Sequence, residues 1–248
     1  MKKSLPVLII VIVLLAAVGG AVWMMQPADE RATPAPAASS GPTAPPSAQG
    51  PQGPQGPQGP RATPASPSVP NEPPRHVRGP ANAPVLLEEY SDFQCPQCGR
   101  MHTIVKELQA KYPSQLRVGF RHYPLATIHR HARESARAAE AAGAQGRFWE
   151  MHDLLYENQE AWSKANPARP LFVAYAQQIG LDTERFQQDI DGSPVSKKVE
   201  GDELRAKSLR VSGTPTFFIN GRELKFDESN TLEKLGAAVE RALAELKK

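Results

Sequence analysis

Glu89-Tyr90-Ser91-Asp92-Phe93-Gln94-Cys95-Pro96-Gln97-Cys98 decides the fold, because it holds the only two cysteines of the 248-residue chain, set as one Cys-x-x-Cys. Just upstream, Pro84 precedes Val85-Leu86-Leu87-Glu88-Glu89-Tyr90, whose apolar start predicts a buried strand. Downstream, Met101, Ile104, Val105 and Leu108 recur at helical spacing. The pair therefore sits where a strand hands over to a helix. Two cysteines in one motif argue against a disulfide-stapled scaffold and for redox or metal chemistry. A structural zinc site needs about four ligands, and no second cysteine pair completes one.

Further along, residues 116–123 read as a second strand ending at Pro124. Residues 127–188 read as wholly helical, through an Ala-rich stretch, then Phe148, Met151 and Leu155, then Leu171, Tyr175 and Ile179; another helix fits Val195, Val199, Leu204 and Leu209. These stripes are packing faces. Thr216-Phe217-Phe218-Ile219, the turn Asn220-Gly221 and residues 222–226 predict a hairpin, since Asn and Gly both tolerate positive φ. Leu232, Leu235, Val239, Leu243 and Leu246 share one face of a closing helix. The expected class is α/β.

Upstream of the folded part the composition changes. Lys2 and Lys3 precede an uncharged run over residues 5–25, against the roughly 20 residues that span a bilayer as a helix. Residues 1–25 are expected to be a retained membrane anchor with the lysines cytoplasmic. The alternative is a cleaved signal peptide, with Gly19-Gly20-Ala21 before the cut and secretion as the outcome. Either way the cysteines lie outside the cytoplasm, where disulfides persist. Residues 26–75 are dominated by Pro, Ala, Ser, Thr, Gly and Gln and offer little apolar surface, so a disordered linker is expected. Four Gly-Pro-x triplets from Gly50 to Arg61 share collagen's period but are too few for a triple helix and read as spacer. Residues 76–248 remain for one domain. A net charge of +3 with interspersed signs argues against nucleic-acid binding.

Taken together, the order of elements and three blocks, residues 90–98, 148–155 and 213–221, resemble the DsbA-like branch of the thioredoxin superfamily over residues 80–246. The resemblance implies a thioredoxin fold with an inserted helical domain at about 127–210, and thiol-disulfide exchange on proteins outside the cytoplasm. The expected function is dithiol oxidase, introducing disulfides into exported proteins through Cys-Pro-Gln-Cys. Isomerase or reductase is the alternative, and a thiol-based metal module a further one. No cofactor is expected beyond the Cys95–Cys98 disulfide. Implied partners are exported clients with cysteines and a redox partner that recycles the pair; the chain is expected to be a monomer, joined to the membrane through residues 5–25.

Cys95, at a helix amino terminus, is expected to attack as thiolate, and Cys98, one turn further in, to resolve the mixed disulfide. An inert structural disulfide is the bland alternative. Pro96 and Gln97 would tune the pair, and neutral Gln97 leaves the direction of electron flow open. Thr214-Pro215 matches the family's cis-proline loop, which offers the backbone of Thr214 to an extended substrate; an ordinary trans turn is the alternative. Glu89 stands where relatives place a buried acid that assists proton transfer at the resolving thiol, or is a solvated or paired carboxylate, with Glu88 on the opposite face. Asp92 fits the same block or caps the turn. His102 could join Cys95 and Cys98 as a third metal ligand; His129, His131 and His152 read as exposed or core histidines, and no metal site is expected.

Overall fold

The structure is a computed structural model that describes residues 72–248. The anchor expected over residues 1–25 and the linker up to residue 71 lie outside the described residues. Five strands, β1 (His76–Arg78), β2 (Val85–Ser91), β3 (Leu116–His122), β4 (Thr216–Ile219) and β5 (Arg222–Glu223), form a mixed sheet in the order β1-β3-β2-β4-β5. β2 and β3 are parallel and the other neighbouring pairs antiparallel. Central β2 is buried on both faces, which is why it reads as a near-continuous run rather than an alternation.

Register sorts its side chains. Glu89 is level with Phe120 and Phe217, Glu88 with Gly119 and Phe218. On the Leu87 and Glu89 face lie α1 (Pro96–Lys111) and, after β5, the C-terminal helix (Leu232–Glu245). Their Met101, Val105, Leu108, Leu235 and Val239 pack on Val85, Leu87, Val118, Phe217 and Ile219. Tyr90 and Phe218 look the other way, under Ala206 and Val211.

Between β3 and β4 run α2 (Ala132–Gly143), α3 (Phe148–Glu157), α4 (Gln159–Lys164), α5 (Arg169–Gln178), α6 (Thr183–Asp191) and α7 (Ser193–Ser208). Their Met151, Leu155, Trp162, Phe172, Phe186 and Ile190 share one core with Phe93, Cys98 and Phe120. Arg121 fastens α7 to the sheet, donating to Glu88 (2.6 Å) and to Asp202 (3.1 Å), while the other Asp202 oxygen accepts from the His122 N–H (3.1 Å).

Two expectations need correction. Residues 127–188 are helical only in pieces: Gly146 and Gly180 take positive φ at two breaks, and Pro167, cis to Asn166, lacks an N–H to continue a helix. The second hairpin strand stops at Glu223. Asn220 and Gly221 turn with φ of 48° and 83°, Leu224 N–H closes on Phe217 O (2.8 Å), and Lys225 N–H is then taken by Glu228 Oε2 (3.1 Å), which starts α8 (Phe226–Ser229); the C-terminal helix is thus α9. β1 was not expected, being too short for any periodicity.

Candidate active site

The turn between β2 and α1 is built around Asp92. Its buried carboxylate accepts from Gln94 N–H (2.8 Å), Leu125 N–H (2.9 Å) and His129 Nδ1 (2.7 Å), so it joins the loop after β3 to the turn as well as capping it. Cys95 caps α1 in an extended conformation (φ −70°, ψ 121°), and Pro96 takes the first helical position, where a missing N–H leaves nothing unpaired. Pro96 is exposed and Gln97 half-buried, its carbonyl accepting from Arg100.

The two thiols are free and differ in setting. Cys95 keeps 7% exposure and Cys98 none. The Cys95 thiol is lowered to about 5, first by a hydrogen bond from the Cys98 thiol, with burial opposing and the N–H groups of Cys98 and Gln97 and the Thr214 side chain assisting. Cys98 is pushed well above its ordinary value by burial, then by its hydrogen bond to Cys95 and the charge of Glu89.

Facing Cys95 is the Thr214–Pro215 peptide, which is cis. The Cys95 thiol donates to Thr214 O (3.5 Å), and Thr214 Oγ1 is buried without a partner among the described residues. That hydroxyl is placed to donate once Cys95 becomes a thiolate. A cavity of about 280 Å³ opens beside this loop, walled by Thr214, Pro215, Leu224 and Phe226, and Phe226 is largely exposed.

Glu89 is buried on the α1 side of the sheet, where its Oε1 accepts from Ser91 Oγ (2.7 Å). Burial raises its carboxyl to about 7, the Ser91 hydrogen bond opposing and the Cys95 charge adding. Glu88 is also buried, but on the far face against Arg121. The structure thus brings Cys95, Cys98, Thr214, Pro215 and Glu89 to one end of β2, and leaves Glu88 apart.

Sequence reasoning missed three contributors. Gln159 of α4 donates through Nε2 to Phe93 O (2.6 Å) and Cys95 O (2.9 Å), and a Cβ at position 99 would stand 2.7 Å from Gln159 Oε1, so Gly99 makes room for it. Nothing local marks a glutamine so far along the chain. Ser91 Oγ lies 2.7 Å from the hydroxyl of Tyr156. Tyr156 was within reach of sequence reading, since it follows Leu155 on the buried stripe of α3.

Cys95 and Cys98 do not converge with His102 on a common point. His102 Nε2 (3.2 Å) and His152 Nδ1 (2.8 Å) instead meet Asp153 Oδ1, the one grouping of three or more such ligands among the described residues. Arg78 occupies the other Asp153 oxygen (2.9 Å) and Lys106 stands 4.0 Å away. These charges already neutralise the single carboxylate, so the group is built as a hydrogen-bonded cluster. Burial holds His152 down at about 4; at Asp153 burial is outweighed by the hydrogen bonds of His102, His152 and Arg78, which keep its carboxyl well below the usual range.

The thioredoxin family model matches residues 71–241. Among curated proteins, the chain is 44% identical over 169 residues to the Na(+)/H(+) antiporter NhaA 1 of Salinispora arenicola, covering 68% of this chain and 25% of that protein. A corresponding antiporter of Herminiimonas arsenicoxydans is 38% identical, with 60% and 23% covered. The chain therefore spans about a quarter of the length of the curated relatives it matches. Among solved structures, oxidised BdbD of Bacillus subtilis superposes with TM-score 0.61 at 22% identity, covering 68% of this chain and 92% of that one. A thioredoxin-like oxidoreductase of Silicibacter pomeroyi gives 0.57 at 26% identity, with 68% and 92% covered. Wolbachia pipientis alpha-DsbA1 gives 0.57 at 22%, with 68% and 93% covered. The chain belongs to the thioredoxin family.

Proposed function

We propose that this chain is a membrane-anchored, extracytoplasmic dithiol oxidase that introduces disulfides into exported proteins. The observation that carries the reading is the asymmetry of the pair: Cys95 keeps some exposure at the amino terminus of α1, facing the Thr214–Pro215 loop, with its thiol lowered to about 5, while Cys98 is sealed behind it and pushed well above its ordinary value. A stabilised Cys95 thiolate favours the reduced pair, which makes the Cys95–Cys98 disulfide a ready electron acceptor. In the oxidised enzyme a client thiolate attacks the Cys95 sulfur. The Cys95–Cys98 bond breaks, Cys98 leaves as thiolate and takes a proton supplied by Glu89. A second client thiolate then attacks the client sulfur of the mixed disulfide and releases Cys95 as thiolate, the better leaving group of the two. Thr214 and Pro215 wall the site against which an extended client lies, and Pro96 and Gln97 set the surface of the pair. The recycling partner runs the first exchange in reverse.

The Cys95–Cys98 disulfide is the only redox group the reading needs, with no metal. The anchor at residues 5–25, the location outside the cytoplasm, the monomeric state and the absence of nucleic-acid binding belong to the same proposal. The chain spans only about a quarter of the antiporters' length, and the proposal assigns it no ion transport. The test is exchange with peptides: Cys95→Ser abolishes oxidation of a dithiol peptide, and reduced Cys98→Ser mixed with a disulfide peptide accumulates the Cys95 mixed disulfide, the peptide's other sulfur leaving as thiolate. Full activity in both variants, or an equilibrium potential near that of cytosolic reductants, would sink the oxidase reading.

A further inference from the structure

The Glu89 carboxyl is buried, and the side chain that meets it there is Ser91, which donates from Oγ to Glu89 Oε1 (2.7 Å). Ser91 is itself buried, and its Oγ lies 2.7 Å from the hydroxyl of Tyr156. A serine hydroxyl has a single proton to give. Because that proton goes to the Glu89 oxygen, the short contact between the two hydroxyls requires Tyr156 to donate and Ser91 to accept. The row of donors thus runs one way, from Tyr156 Oη to Ser91 Oγ and from Ser91 Oγ to Glu89 Oε1. Tyr156 comes from α3, in the helical block between β3 and β4, whereas Ser91 and Glu89 share β2. Its ring packs against Phe93 (centroids 4.9 Å apart), His102 (5.1 Å) and His152 (5.1 Å), so the hydroxyl is aimed by contacts that do not involve Ser91.

We propose that Tyr156 is a positioning residue for the acid of this site: acting through Ser91, its hydroxyl keeps a donor on the Glu89 carboxylate and so sets how tightly Glu89 holds its proton. The inference deepens the oxidoreductase reading and rests on it. Burial alone favours the neutral carboxyl, and a donor aimed at the carboxylate opposes that preference. The same two influences act on Glu89, where burial raises the carboxyl to about 7 and the Ser91 hydrogen bond pulls the other way. An acid that gives a proton in one half of a cycle and takes it back in the other works best with its midpoint near the working pH. Tyr156 occupies the acceptor side of Ser91, and the serine proton stays directed at Glu89. Other titratable or charged groups that face Glu89 are Cys95, Cys98, His102 and Lys106 of α1, Arg78 of β1 and His152 of α3; Phe120 and Phe217, level with it on β3 and β4, carry no charge.

The test reads the carboxyl itself in the full chain with the pair reduced, by NMR titration of isotope-labelled glutamate, the Glu89 signal being assigned by its loss in Glu89→Gln. Ser91→Ala is expected to raise the Glu89 midpoint by about one pH unit, roughly a tenfold gain in proton affinity, and Tyr156→Phe by about half a unit in the same direction. Tyr156→Phe keeps the ring and its packing, so that variant is expected to fold. Because Tyr156 acts through Ser91, the double variant should move the midpoint no further than Ser91→Ala alone. Ser91→Thr, which keeps the hydroxyl, should stay near the parent. In oxidation of a dithiol peptide, the limb of the pH profile that falls as Glu89 loses its proton should shift to higher pH by the same amounts. An unchanged midpoint in Tyr156→Phe, or additive shifts in the double variant, overturns the proposal. A parent that exchanges no disulfide sinks the oxidoreductase reading instead, and the midpoints still decide whether Tyr156 acts on Glu89.

Discussion

At Cys95 the sulfur meets donors from several sides: the Cys98 thiol, the N–H groups of Gln97 and Cys98, and the Thr214 side chain. Titrating the reduced protein by thiolate absorbance should give a midpoint near about 5 for Cys95, and Cys98→Ala should raise it by removing the first of those donors. Because this folded-state value lies below the ordinary 9.0, the stability contributed by the thiolate is full above about pH 9 and fades as pH falls through about 5. Glu89 has the opposite sign. Its carboxyl is raised from 4.5 to about 7, so the fold is favoured below about pH 4.5 and loses that advantage as pH rises through 7. Glu89→Gln should therefore stabilise the protein at pH 8 by up to about 3 kcal/mol, read from denaturant unfolding, while slowing exchange.

Among the elements, α1 and α4 meet at a contact with little slack. Gln159 holds the carbonyls of Phe93 and Cys95, and Gly99 leaves the room it needs. Gly99→Ala should displace Gln159 and cost about 1–3 kcal/mol of stability. Gln159→Ala should raise the Cys95 midpoint in the same direction as Gly99→Ala, because both loosen the turn that aims the N–H groups of α1 at the sulfur. The strand-to-helix handover at Cys95 was legible, since a buried run and a helical stripe meet there, and so was the turn at Asn220-Gly221. The Gln159 contact was not, because an amide reaching two carbonyls more than sixty positions away leaves no periodic trace. The end of β5 was misread for a related reason: residues 222–226 suit a strand, and it is the backbone capture of Lys225 by Glu228 that turns the chain into α8.

For the molecule as a whole, the helices between β3 and β4 share the core that holds Cys98, so the insertion is part of the site's wall. That the stripes are packing faces could be read from the sequence, whereas the partners each stripe chooses, Cys98 among them, depend on packing across long separations. The uncharged run over residues 5–25 carries a prediction at this scale. The full chain should sediment with membranes, its domain accessible to protease from the extracytoplasmic side, and removing residues 1–25 should release it to the soluble fraction.

Sealing Cys98 directly behind Cys95 also governs what peroxide can do to the pair. Cys95 is the sulfur of the pair that keeps some exposure, and a sulfenic acid formed there would have the Cys98 thiol as its neighbour and condense with it to a disulfide. Water leaves, and the product is the ordinary Cys95–Cys98 disulfide. Peroxide treatment of the reduced protein should therefore yield the Cys95–Cys98 disulfide, and Cys98→Ala should instead accumulate Cys95 sulfinic and sulfonic acids, read by intact mass.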